Sequence, residues 1–201
     1  MTRFNQLMIF LLVLLLAGCA ATGPDGGADK SEVVKAEPKV DPKITAAYES
    51  ALSSMRDGKN AQAESALRQL AEKYPTFSGP HANLGILYFR ENKLEQAKAE
   101  FQSALEINPN NVVSLNHLGI MSREEGKFKE AQAFYEKALQ IDPAYAYAHL
   151  NYGILLELYM GKLSEALEHY KRYQELNKAE GKDEDKEVVK WIVDLGRRIK
   201  K

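Results

Sequence analysis

His81, His117, His149 and His169 are the side chains with which this chain could hold a metal ion or move a proton near neutral pH. No two of them stand four residues apart, the spacing that sets a zinc-binding pair on one helix face. His81 and His149 share one phase of a sequence repeat, two units apart, and read as core or groove-edge imidazoles rather than metal ligands. Glu124-Glu125 and Asp183-Glu184-Asp185 offer carboxylates. Both runs fall at helix boundaries, where capping or solvated acids belong more naturally than an acid–base pair. Gly23 to Gly27 has no strand before it and no P-loop lysine and hydroxyl after it. Ser53, Ser54 and Ser114 have no base positioned beside them in sequence. The chain therefore reads as a non-enzyme, with no cofactor, no metal and no small-molecule substrate expected. Cys19, the only cysteine, can form no disulfide within one chain.

What positions these residues is a repeat. Gly85, Gly119 and Gly153 stand 34 residues apart. Ala97 and Ala131, Phe101 and Tyr135, Ala104 and Ala138, and Pro109 and Pro143 keep the same phase after the first two glycines. A weaker copy precedes them, with Ala51 in the glycine phase and Ala63, Leu67, Leu70 and Pro75 in the others. After Gly153, Ala166 and Tyr170 come one residue late, which places a single insertion within Glu157–Gly161. Within a unit, Pro80 suits a first helical turn, and the apolar residues through Phe89 recur at helical spacing. Asn92-Lys93 breaks that helix, and Leu94, Ala97, Phe101, Ala104, Leu105 and Ile107 form the stripe of a second, ended by Asn108-Pro109. The short turn makes the two antiparallel. Glycine inside a helix costs about 1 kcal/mol relative to alanine, so its recurrence at one phase implies close packing there.

Leu84-Gly85-x-x-Tyr88, Ala97, Phe101, Ala104 and Pro109 resemble the full tetratricopeptide-repeat pattern. The resemblance implies an all-α, right-handed solenoid of four helix-turn-helix units, near residues 44–77, 78–111, 112–145 and 146–180, so that repeats fill 44–180. One unit cannot cover its own apolar face, so a cap is required. Val188, Trp191, Ile192, Leu195 and Ile199 recur at helical spacing within 183–201 and supply it; a membrane-surface helix is the alternative.

In the resembling family the first helix of each unit lines the concave surface. Carried over by position, this implies a partner-binding groove of Tyr48, Met55 and Arg56 in unit one and Asn83, Ile86, Phe89 and Arg90 in unit two. Unit three contributes Asn116, Ile120 and Arg123, and unit four Tyr147, Asn151, Ile154 and Leu158. Asn83 and Asn151 resemble asparagines with which some members clamp a C-terminal carboxylate. The lysines of that clamp are replaced here by Thr45, Gly79, Val113 and Tyr147. A peptide with apolar anchors, oriented by Arg90 and Arg123, fits better.

At the other end, Arg3 precedes an unbroken apolar run from Leu7 to Leu16. A membrane span needs about 20 apolar residues, so the run reads as a signal peptide over residues 1–18. Leu16-Ala17-Gly18-Cys19 resembles the bacterial lipobox, which implies diacylglycerol on the Cys19 sulfur and an acylated new amino terminus; an ordinary signal peptide is the alternative. Several acyl chains, at about 0.8 kcal/mol per buried methylene, suffice for stable anchoring. Ala20, rather than aspartate, after the cysteine resembles the arrangement sent to the outer membrane. Residues 19–43 then form a lipidated, disordered tether with a reach of about 25 to 30 Å.

Twenty-seven basic against twenty-eight acidic side chains leave a net charge of −1, and no basic stripe interleaved with aromatics appears, so nucleic acid is not an expected partner. The layout resembles outer-membrane repeat lipoproteins such as type IV pilus pilotins and tight-adherence pilus assembly lipoproteins. The function expected is a lipid-anchored periplasmic scaffold that binds a protein or peptide segment to assist assembly of an envelope machine. The alternative is an adaptor that docks a protease or peptidoglycan hydrolase to its substrate.

Overall fold

The computed structural model describes residues 42–200; the expected signal peptide, Cys19 and the expected tether as far as Asp41 lie outside them. Nine helices, and no strand, occur among the described residues. They are α1 (Pro42–Arg56), α2 (Asn60–Lys73), α3 (Ser78–Arg90), α4 (Leu94–Ile107), α5 (Val112–Glu124), α6 (Phe128–Ile141), α7 (Ala146–Leu158), α8 (Leu163–Ala179) and α9 (Lys186–Arg198). Pro42 and Lys43, expected in the tether, begin α1 instead. Proline fits there because the first N–H of a helix needs no partner.

Four hairpins follow, and a backbone device repeats in their turns. Gly58, Asn92, Gly126 and Gly161 are left-handed, with φ between 57° and 74°. In the first three turns the next residue, a lysine, donates its N–H five residues back: Lys59 to Ser54, Lys93 to Tyr88 and Lys127 to Ser122. This satisfies a terminal carbonyl and reverses the chain. In the fourth turn Lys162 reaches six residues back, to Leu156, which accommodates the inserted residue. The links between units use proline. Tyr74, Asn108 and Asp142 precede Pro75, Pro109 and Pro143 and are held out of the helical region, with φ from −134° to −130° and ψ from 71° to 97°. At that phase unit four has Lys178. Its second helix runs on to 17 residues, against 14 in the others, until left-handed Gly181 ends it.

The phased glycines sit at equivalent hairpin contacts. A Cβ on Gly85 would lie 2.6 Å from the Phe101 ring, on Gly119 2.6 Å from Tyr135, and on Gly153 2.6 Å from Tyr170. No real side chain fits there, so each aromatic of the second helix lies directly on the backbone of the first. In unit one Ala51 and Leu67 occupy these phases, both buried. The smaller second-helix residue leaves room for the Cβ.

Consecutive first helices touch: α1 with α3, α3 with α5, and α5 with α7. Among the described residues, the backbones of no two consecutive second helices come as close. The array therefore curves towards its first helices, and these line the inner face. The C-terminal helix α9 packs on α8, burying Val188 and Leu195, with Trp191 tilted on Tyr170 at 5.4 Å between ring centres. Asp185 starts it. Its Oδ1 accepts from the N–H of Glu187 and Val188, while Gln174 of α8 bonds its backbone on both sides.

Gly119→Leu should lower stability by about 2 kcal/mol or more through overpacking. Gly119→Ala alone should also destabilise, and adding Tyr135→Leu, which recreates the pair of unit one, should recover part of the loss. Urea unfolding followed by circular dichroism gives the coupling. Strict additivity of the two substitutions would contradict the contact.

Candidate protein-binding face

The inner face is built by side chains of α1, α3, α5 and α7, which the repeat brings to one side. Half-buried Leu52, Ile86, Ile120 and Ile154, at one phase, form its apolar floor. Arg56 and Arg90 are exposed in the last turns of α1 and α3, and Arg123 is half-buried in the last turn of α5. Arg123 Nη1 and the Tyr135 hydroxyl are buried, and neither hydrogen-bonds to any described residue. Burial holds the Tyr135 phenol above its ordinary pKa, so it stays protonated. Tyr147 and Leu158 stand 52% and 65% exposed at the unit-four end. A lysine ammonium, Lys182, lies 5.9 Å from the centre of the Tyr147 ring.

Other residues expected on this face are engaged elsewhere. Met55 is 8% exposed and belongs to the core of the first units, and Asn116 is 2% exposed. Both are packing residues, because the inner helices approach closely enough to cover their phases. Phe89 is half-buried, edge-on to His117 at 5.9 Å between ring centres. The asparagines clip neighbouring units together: Asn83 Nδ2 donates to the Tyr48 hydroxyl at 2.5 Å and to the Gly79 carbonyl at 3.0 Å. Asn151 Nδ2 donates to Asn116 Oδ1 at 3.0 Å and to the Tyr147 carbonyl at 2.9 Å. With their amide donors spent, they are poorly placed to clamp a carboxylate. The clamp lysine is also shut out at one of its positions: a Cβ on Gly79 would lie 2.6 Å from the Tyr48 hydroxyl. Sequence reasoning missed these clips, although Tyr48 to Asn83 and Asn116 to Asn151 share one 35-residue spacing.

Also unforeseen was the closure at unit four. Arg198 of α9 reaches Glu157 of α7 at 2.6 Å, and the Tyr170 hydroxyl donates to the same carboxylate at 3.1 Å. The histidines hold no metal cluster among the described residues. His81 pairs with Glu100 at 2.7 Å, and His117 stacks on Phe101 with ring centres 4.8 Å apart. The Nδ1 atoms of His149 and His169 lie 2.9 Å apart, and His149 Nε2 is 3.1 Å from the Pro143 carbonyl. With His149 donating from Nε2 to Pro143, its Nδ1 accepts from His169. The pair ties α7 to α8.

Residues 82–183, half of the chain, match the family model described as the TT21 fifth ARM repeats domain, and residues 48–112 match that of the tetratricopeptide repeat. The chain belongs to this family of stacked helical repeats, and the tetratricopeptide model matches its first two units. A solved structure of Pseudomonas aeruginosa PilF is similar at 25% identity and a TM-score of 0.66, over 78% of this chain and 69% of that one. A crystal structure of MamA is similar at 22% identity and a TM-score of 0.55, over 75% and 85%. A tetratricopeptide repeat protein from Parabacteroides merdae matches at 22% identity and a TM-score of 0.52, over 67% and 54%. The latter two show the fold alone. No curated protein sequence matches the chain. The class so defined is one of protein-interaction scaffolds, and neither family model is catalytic.

Burial lowers the pKa of His149 and His169 below the ordinary 6.5, the latter to about 4. The unfolded chain then binds more protons than the folded one between those values, so stability falls as pH drops from about 6.5 towards 4. For His169, discounted for partial exposure, the loss should be on the order of 2 kcal/mol. Urea midpoints across this window test it, and His169→Leu should flatten the profile.

Proposed function

We propose that the chain is a lipid-anchored periplasmic scaffold, held by acylated Cys19 in the inner leaflet of an outer membrane, whose inner helical face binds a segment of another protein during assembly of an envelope machine. The observation that carries the reading is the open face of α1, α3 and α5, with an apolar floor and arginines at one edge. The likeness to Pseudomonas aeruginosa PilF supports a machine of pilus or secretion type. The Leu16-Ala17-Gly18-Cys19 sequence supports the anchor, and the tether after it gives the repeats reach. A repeat surface of this kind suits capture, because rigid stacked hairpins pre-order the binding groups and leave little entropy to lose on docking.

Metabolic labelling with palmitate should mark the chain and not a Cys19→Ser variant, which should leave the membrane fraction. A photoreactive residue at Arg90 or Tyr147 should cross-link a protein partner in native cells. The same residue at Lys137, exposed on α6, should not. Equal cross-linking from Lys137 would overturn the inner face as the binding surface.

A further inference from the structure

Arg56 and Arg90 hold the same repeat position, and Arg123 lies one position earlier in the next unit. All three stand in the last turn of consecutive inner helices that touch one another. None forms an ion pair or a hydrogen bond among the described residues, and one nitrogen of Arg123 is a buried, unmet donor. The acids that follow them in the turns are already taken. Asp57 pairs with Lys59 at 3.0 Å, Glu91 with Lys93 at 2.7 Å, and Glu125 with Lys127 at 2.5 Å. Glu124, exposed and in no ion pair among the described residues, holds in unit three the repeat position of Arg56 and Arg90, and the three arginines still leave this edge an excess of positive charge. A cation in a last turn does gain from the helix dipole. That gain is indifferent to which side of the helix the arginine occupies, and so leaves the shared repeat position of Arg56 and Arg90, with Arg123 beside it in the next unit, unaccounted for. In unit four the edge ends, with Glu157 neutralised by Arg198 at 2.6 Å.

Packed helices lie about 8 to 10 Å apart, so Arg56 and Arg90, at one repeat position of touching helices, start from backbones spaced at roughly that interval, and Arg123 stands one residue earlier on the next helix. A polyproline-type chain turns once in three residues and rises about 9 Å as it does so, which brings every third side chain to one face at nearly the same interval. We propose, on the reading of the inner face given above, that units one to three take an acidic, extended segment of a partner protein. Carboxylates at every third residue meet Arg56, Arg90 and Arg123, and apolar side chains on the adjoining face lie on Leu52, Ile86 and Ile120. Charge complementarity sets the register, and the apolar row supplies the buried surface.

Dye-labelled peptides of four Glu-Leu-Pro repeats and of four Lys-Leu-Pro repeats, titrated against the full chain by fluorescence anisotropy, test this. The acidic peptide should bind and the basic one should not. Arg56→Glu with Arg90→Glu and Arg123→Glu should weaken the acidic peptide at least about tenfold and favour the basic one. If that variant loses its helical spectrum, Arg56→Ala with Arg90→Ala, both at exposed positions, should still weaken the acidic peptide. Equal binding of the two peptides, or an acidic preference unchanged in a folded variant, overturns the proposal. In that event, cross-linking from Arg90 and not from Lys137 would leave the scaffold reading standing, whereas its absence would remove both.

Discussion

In three of the four hairpins the backbone of the first helix lies bare against an aromatic ring of the second, and the rest of the array depends on that contact. Gly85, Gly119 and Gly153 leave no volume for a Cβ beside Phe101, Tyr135 and Tyr170. Because packed interiors tolerate neither voids nor overlap, this one distance fixes how close the two helices stand and how far each ring reaches towards the next unit. Tyr135 continues to Tyr152 of unit four, ring centres 6.0 Å apart, and Tyr170 to Trp191 of the cap at 5.4 Å. The aromatic that closes one hairpin thus begins the interface to its successor. Unit one solves the same problem with Ala51 and Leu67, and it has no described unit before it whose aromatic would need a place.

The curvature that exposes an inner face follows from what lies between the units. First helices meet directly and are joined by clips from Asn83 to Tyr48 and from Asn151 to Asn116, whereas the backbones of consecutive second helices lie farther apart. The clips use up asparagines that a carboxylate clamp would need. What is left to a partner is an apolar floor and an arginine edge, bounded at unit four by α9 and its Arg198–Glu157 pair. The same packing that makes the solenoid therefore decides which chemistry its inner face can offer.

Much of the fold was legible because its determinants are local and repeat. The glycine, alanine, aromatic and proline phases are spacings along the chain, and the single insertion in unit four showed itself as a one-residue slip that the longer turn at Tyr159–Lys162 takes up. The left-handed turn phase of Gly58, Asn92, Gly126 and Gly161 was equally local but hidden, since Asn92 replaces glycine within it. The site was less legible. Met55 shares its phase with Phe89 and Arg123, and Asn116 with Tyr48, yet both are buried, and Phe89 turns its ring edge to His117.

Sequence by itself determined the all-α repeat, its four-unit length, the slip in the fourth and the need for a cap, because each is set by contacts between residues a fixed interval apart. Only the tertiary structure decided which inner-phase residues remain open. Exposure there depends on how neighbouring units approach, and on long-range partners such as Arg198 with Glu157 and His149 with His169 that follow no period.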